Sequence, residues 1–409
     1  MFKPCVAPAM RRERKAADVG DRTSIEWTRG DDGSPGATWN PLIGCSRVSP
    51  GCDHCYAIGV VHRQMSPQHV GLTVKPEGGG RVDWNGTINV AESVMDKPLR
   101  WKRPRRIFVN SLSDLFHPAV DDLTIARIFA VMALAPQHTF QVLTKRPQLM
   151  HRVLTSPAWP GMLTEAIVDI DLEYGQGRNL TATIDIAPIA SGEPLPNVWL
   201  GVSIESDKYA WRADHLRNTP AAVRWISAEP LLGPLPSLDL TGIDWVVCGG
   251  ESGPGARPMH PQWAQDLRDR CARPSSVIAC AECGDDAELT FPSALPGAPD
   301  RWEYECADRH VTQRPGPAFL FKQWGDWAPG RPARRPARYS AEKTPQLAQS
   351  GVLLDGEGKA RDTNELTSFR MPDDWVQMAR VGKKAAGREL DGRTWDEYPA
   401  VKASHRSHS

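Results

Sequence analysis

From Thr23 onward the chain repeats one pattern: a short apolar run ends in polar residues, and a stretch of helical period follows. Six such runs are ATWNPLIGC (37–45), RIFVNSLSDLF (106–116), TFQVLTKRP (139–147), VWLGVSIES (198–206), VRWISAEPL (223–231) and IDWVVCGGESG (243–253), with a seventh in AFLFKQWG (318–325). Near-continuous apolar runs suit strands covered on both faces, so the pattern predicts an α/β fold with a parallel sheet built from βα units. Between the runs lie helices with readable ends. In VDDLTIARIFAVMALAP (120–136), Asp121 or Asp122 caps a helix whose apolar face carries Leu123, Ile125, Ile128, Phe129 and Met132, and which stops at Pro136. In PQWAQDLRDRC (261–271), Trp263, Leu267 and Cys271 share one stripe, which makes Cys271 a buried small hydrophobe. Cys248, at the end of Trp245-Val246-Val247, reads the same way.

The polar residues that close the runs are where parallel βα folds bind ligands. Asn110, Ser111, Ser113 and Asp114 close the second run, and Thr144, Lys145 and Arg146 the third. Ser203 and Glu205 follow the fourth, Ser227 and Glu229 the fifth, Glu251 and Ser252 the sixth, Lys322 and Gln323 the seventh. This predicts one shared active-site rim, with Lys145, Glu205 and Glu229 as its catalytic candidates. The competing reading makes Asp114, Glu205 and Glu229 helix caps or charge partners of Lys145, Arg146 and Lys322.

Charge narrows the choice of partners only slightly. Lys and Arg number 49 and so do Asp and Glu, so an anionic partner has to be held by a local patch rather than a global field. No stretch reaches the roughly 20 apolar residues of a membrane helix, and no apolar segment follows the basic N-terminus, so a soluble cytoplasmic protein without membrane partners is expected. The nine cysteines argue for metal sites and buried thiols rather than a disulfide framework.

Two cysteine groups stand out. Cys45, Cys52 and Cys55 form a C-x6-C-x2-C array directly after the first run. Three thiolates suit a [4Fe-4S] cluster with one free iron, whereas structural zinc wants four ligands; spacing alone leaves iron–sulfur, zinc and plain buried thiols open. Cys280, Cys283, Cys306 and His310 have zinc-ribbon spacing inside a Pro- and Gly-rich interruption, which predicts an inserted Zn(II) knuckle. The organisation expected is a disordered basic arm (1–22), a barrel (23–272 plus 318–330), the knuckle (273–317), and a Pro/Arg-rich linker with a C-terminal tail (331–409).

The segments TSIEWT, ATWNPLIGCSRVSPGCDHCYA, PLRWKRPRRIFVNSLSDLFH, VMALAPQHTFQVLTKRP, LPNVWLGVSIES, TPAAVRWISAEPLLGP, IDWVVCGGESGPGARPMHP, FKQWGDWAP and VGKKAAGRELDGRTWDEYP resemble the phage-associated three-Cys-motif family, a domain of unknown function. That family is in turn similar to radical S-adenosylmethionine (SAM) enzymes of the spore photoproduct lyase type. The resemblance implies a partial (β/α)6 TIM-like barrel of radical SAM type, a [4Fe-4S] cluster on Cys45, Cys52 and Cys55, and SAM at the open iron, where its reductive cleavage gives a 5′-deoxyadenosyl radical. It also implies an external electron donor and a protein partner encoded nearby. Two departures are visible: the usual spacing is C-x3-C-x2-C, and the usual GGE near the second strand is absent. Ser111, Ser113 and Asp114 occupy that place and are expected to accept from the SAM ammonium. Ser203, Gly249, Gly250 and Glu251 are the further cofactor-binding candidates, the glycines permitting close backbone approach.

Lys145 and Arg146, with the tract WKRPRR (101–106) and Trp101 as a stacking plane, suggest a nucleic acid or nucleotide substrate, as does analogy with lyase-type relatives. The rival expectation is a non-redox phage accessory protein, stapled by zinc at both cysteine groups, that binds nucleic acid.

Overall fold

The computed structural model describes residues 22–272, 277–279, 286–289, 302–306, 311–314, 316–329, 351–361 and 374–399. The main sheet has seven strands, β1 (Ala37–Trp39), β2 (Arg106–Val109), β3 (Thr139–Thr144), β4 (Val198–Ser203), β5 (Val223–Ala228), β6 (Trp245–Gly249) and β7 (Ala318–Gln323). They lie side by side in chain order and every pairing is parallel. The sheet curls into a half-barrel, so the expected α/β architecture stands with seven strands rather than six. The first run is shorter than its apolar length suggests because Pro41 has no N–H for a ladder. Beyond it Leu42–Ile43 pairs with Asn89–Val90 in a separate antiparallel ribbon.

The helices are α1 (Tyr56–His62), α2 (Asp122–Ala133), α3 (Pro147–Leu154), α4 (Trp159–Tyr174), α5 (Arg212–Arg217) and α6 (Pro261–Ala272), together with shorter turns. Asp121 caps α2 by accepting from the Thr124 N–H at 2.7 Å. Ile125, Ile128, Phe129 and Met132 are buried, and the Phe129 ring meets Trp159 of α4 edge-on at 5.1 Å. Leu123 is exposed instead, because at about 100° per residue it falls on the side of the helix opposite Ile125, Ile128, Phe129 and Met132. Trp263, Leu267, Cys271 and Cys248 are buried as the periodicity requires. No helix joins β5 to β6, so the βα alternation lapses once. Among the described residues no helix is long and apolar enough to cross a membrane.

Alternation along the strands decides what faces the barrel axis. Toward the amino ends the inner side chains are Phe108, Trp199, Trp225, Trp245, Val247 and Leu320, gathered round Trp27 from the segment before β1. Trp27 lies 4.7 Å from Phe108 and 5.1 Å from Trp225, ring centre to ring centre. Gly201 makes room for this floor, since a Cβ there would stand 2.3 Å from the Trp225 indole. One step further along the strands the inner positions turn polar and a cavity begins.

In the 273–317 interruption, Val277–Ala279, Asp286–Leu289, Trp302–Cys306 and Val311–Arg314 form a four-stranded antiparallel sheet. Cys306 ends the third of these strands, while Cys280, Cys283 and His310 lie outside the described residues. So do the expected arm up to Asp21 and the linker from Gly330 to Ser350. The tail returns to the barrel: the Phe321 N–H donates to the Trp395 carbonyl at 2.9 Å, and Tyr398 packs on Trp245 with its hydroxyl on the Glu26 carbonyl.

Candidate functional site

A cavity of about 570 Å³ opens at the carboxyl ends of the strands. Its wall takes Thr38 from β1, Asn110 to Asp114 after β2, Thr144 to Arg146, Ser203, Ser227, Glu229, Gly250 to Ser252, and Lys322 with Gln323. Cys45, Cys52 and Cys55 complete it from the loop after β1, and all three are free thiols of intermediate exposure. The predicted rim is therefore one cavity. Lys322 and Gln323, neighbours that would face opposite sides of a regular strand, both reach it because the register between β6 and β7 slips at Cys248/Gly249.

The cysteine loop is held from two sides. On one side Arg146 is buried and its Nη1 stands 2.8 Å from Asp114 Oδ2 and 3.7 Å from the Cys45 sulfur. Its Nη2 donates to the Ser46 carbonyl at 2.8 Å and to Ser46 Oγ at 2.9 Å. On the other side Arg257 makes a fork on Glu251 (2.9 and 2.6 Å) and reaches back to the Pro50 carbonyl at 2.8 Å. His54, the side chain that would complete a zinc set in this loop, lies with Nδ1 at 2.8 Å from Glu251 Oε2. Burial raises the Glu251 carboxyl, but the hydrogen bonds from Arg257 and His54 outweigh it and hold the group below its ordinary range.

The thiols have opposing surroundings. Burial, followed by the Asp114 charge, pushes the Cys45 thiol up to about 12 against the pull of Arg146. Burial also raises Cys55, against the N–H groups of Ala57 and Ile58 at the start of α1. Both thiols hold their protons in the free chain, and ligation of a metal would require their loss. Among the described residues no three His, Cys, Asp or Glu side chains form a group set around one ion.

Several sequence expectations change. Asp114 accepts from the N–H groups of Phe116 and Lys145, from Thr144 Oγ1 and from Arg146, so all four directions are taken and it is a strut rather than an acceptor for an ammonium. Ser111 and Ser113 donate to Asn40 Oδ1 and the Leu42 carbonyl, which leaves their lone pairs available. Glu205 is fully buried behind Gly51, paired with Arg212 at 3.0 Å and with Lys145 Nζ at 4.0 Å, outside the cavity wall. Glu229 stays in the wall, paired with Lys322 Nζ at 2.8 Å; a Cβ on Gly249 would stand 2.7 Å from its Oε1. The charge-partner reading thus holds for all three acids, Asp114 and Glu229 in the wall and Glu205 behind it. Trp101 offers no stacking plane, because it is buried against His138 with Arg105 over its ring at 4.8 Å. Arg106 is buried too, bound to Asp31 at 2.5 Å.

Three buried side chains that line the cavity keep a polar atom with no hydrogen-bond partner: Trp27 Nε1, Asn110 Nδ2 and Gln323 Oε1. Asn110 holds φ +60, which aims its side chain off the strand direction. Arg257, His54 and the exposed Tyr56, tied by its hydroxyl to the Ser111 carbonyl at 2.9 Å, were not singled out for these roles by the sequence reading. The polar punctuation after each apolar run and the Cys45, Cys52 and Cys55 array pointed toward this region.

A family model described as "Protein of unknown function (DUF5131)" matches residues 22–287 and 293–399. No curated protein and no solved structure matches the chain.

Proposed function

The chain belongs to the DUF5131 family of proteins of unknown function, and from that premise we propose that it is a radical SAM-type enzyme holding a [4Fe-4S] cluster on Cys45, Cys52 and Cys55. The observation that carries the reading is the meeting of three free thiols with the polar ends of a seven-stranded parallel half-barrel in one cavity. Three thiolates leave one iron of a cubane open. The surroundings fit such a group: a buried guanidinium offers an N–H to the Cys45 sulfur, and Asn110 Nδ2 and Gln323 Oε1 are a donor and an acceptor left unused in the same wall. When bound and reduced, the cluster supplies the electron that splits the SAM sulfonium and so provides a hydrogen-abstracting adenosyl radical.

The chain's own part in this reading is to position and to screen. Arg146 and Ser46 fix Cys45 at one end of the loop, and Glu251 with Arg257 fixes Pro50 at the other. Asn110 and Gln323 are assigned to polar edges of SAM, with Ser111 and Ser113 as acceptors for its ammonium. The aromatic floor round Trp27 and Trp225 shuts water out from below. Glu229 and Lys322, facing each other in the wall, are assigned to substrate.

Anaerobically purified protein is expected to be brown and to carry about four irons and as many sulfides per chain, and the Cys45→Ala/Cys52→Ala/Cys55→Ala variant is expected to fold and carry none. Iron and sulfide assays with the absorption spectrum check this. Zinc without iron in both proteins would remove the redox reading and favour the nucleic-acid-binding one.

A further inference from the structure

Resting on the reading of this cavity as a catalytic one, we propose that Lys383 is its anion-binding residue and takes a phosphate or carboxylate group of the bound molecule. Lys383 belongs to the tail motif VGKKAAGRELDGRTWDEYP, more than fifty residues beyond β7 in the chain, and yet it lines the cavity.

The placement is fixed by backbone chemistry. Val381 and Gly382 both donate their N–H to the Asp326 carbonyl at 3.0 Å, and the Trp324 N–H donates to the Gly387 carbonyl at 3.3 Å. The Trp324 indole donates to the Glu389 carbonyl at 2.8 Å, and Arg388 Nε to the Lys322 carbonyl at 2.9 Å. Gly382 (φ +81) and Gly387 (φ +79) bracket the turn in a conformation that favours glycine. The short turn is therefore clamped onto the carboxyl end of β7, the strand that supplies Lys322 and Gln323 to the same cavity.

The cations of the wall differ in their pairing. Lys145 faces Glu205 at 4.0 Å, Arg146 faces Asp114 at 2.8 Å, and Lys322 faces Glu229 at 2.8 Å. Arg146 and Lys322 are thus balanced one for one, whereas Lys145 shares Glu205 with Arg212, which stands closer at 3.0 Å. Lys383 is exposed and, among the described residues, has no carboxylate within reach. An ammonium without a carboxylate beside it, in a cavity that also keeps the unpartnered Asn110 Nδ2 and Gln323 Oε1, is complementary to an anionic group on a polar ligand.

Two sources share that chemistry, a substrate phosphate and the carboxylate of SAM, and paired probes separate them. Calorimetric titrations of the full chain compare 5′-AMP with adenosine on cluster-free protein, and SAM with decarboxylated SAM on iron-loaded protein. The parent is expected to prefer the anionic member of at least one pair by about tenfold, the worth of one charged hydrogen bond. Lys383→Met should abolish that preference and Lys383→Arg should keep it. Because Lys383 is exposed, both variants should unfold at the parent's midpoint, so a loss of preference reports on binding. A preference lost in the first pair assigns the anion to a phosphate, and one lost in the second to SAM. No preference in any pair that can be run, or a preference that survives in Lys383→Met, overturns the proposal. Failure to load iron would defeat the catalytic reading while the nucleotide pair still decides Lys383.

Discussion

Replacing Arg146 by methionine is expected to lower the stability of the chain by roughly 3–5 kcal/mol, the usual cost of removing one partner from a buried ion pair. Arg146 and Asp114 are both nearly inaccessible, at 7% side-chain exposure each, so solvent cannot take over the lost charge. The guanidinium also donates to the Ser46 carbonyl and hydroxyl, and the carbonyl loses this donor in the same step while the hydroxyl keeps His117 Nε2 at 2.8 Å. Urea unfolding should show a lower midpoint at unchanged slope. Removing Asp114 as well, in Arg146→Met/Asp114→Leu, should recover only part of the loss. The N–H groups of Phe116 and Lys145 and the Thr144 hydroxyl would then be left without their acceptor. Where Arg146→Met is still folded, its iron content should fall below the parent's, because the Cys45 sulfur loses the guanidinium and Ser46 keeps the His117 Nε2 contact at 2.8 Å without it. A variant as stable as the parent would show that the cysteine loop stands without this clasp.

Glu205→Ala is expected to be of similar size, again roughly 3–5 kcal/mol, and for the same reason. Glu205 and Arg212 are at most 1% exposed, and Arg212 Nη1 bridges Glu205 Oε2 at 3.0 Å and the Ser203 carbonyl at 2.7 Å. The Tyr209 ring covers the guanidinium at 4.2 Å, so an uncompensated Arg212 has no route to water. Glu205→Gln keeps an acceptor oxygen and the side-chain volume and should cost less than Glu205→Ala. The pair lies directly behind Gly51, so its loss unsettles the cysteine loop from below. Activity in the two variants should therefore follow their folded fraction. A fully stable Glu205→Gln without activity would return Glu205 to the catalytic role that its strand-end position first suggested.

The parts of this protein that were legible in its sequence are those set by local pattern. Apolar runs with polar ends located all seven strands, Asp121 located the start of α2, and four-residue spacing placed Cys271 inside. What local pattern does not encode is which strand-end charges meet once the sheet curls. Glu251 reads as a ligand contact when seen alone; only folding brings Arg257 and His54 onto it from loops on either side. Trp101 reads as an exposed plane in a basic tract, yet its indole is large enough that packing against His138 and Arg105 outweighs exposure. The tail was legible as a motif but not as a wall, because its clamp onto β7 consists mainly of backbone hydrogen bonds that any sequence can make. The ligand set of the expected zinc knuckle lies outside the described residues, apart from the Cys306 backbone.

The most direct test of the central claim is a single-turnover assay: anaerobic, iron-loaded protein is mixed with SAM and dithionite, and 5′-deoxyadenosine and methionine are quantified by chromatography. The parent should release both in equal amounts, and Cys45→Ala/Cys52→Ala/Cys55→Ala should release neither. Loaded protein that leaves SAM intact, or a triple variant that cleaves it as the parent does, would contradict the assignment of this cavity to radical SAM chemistry.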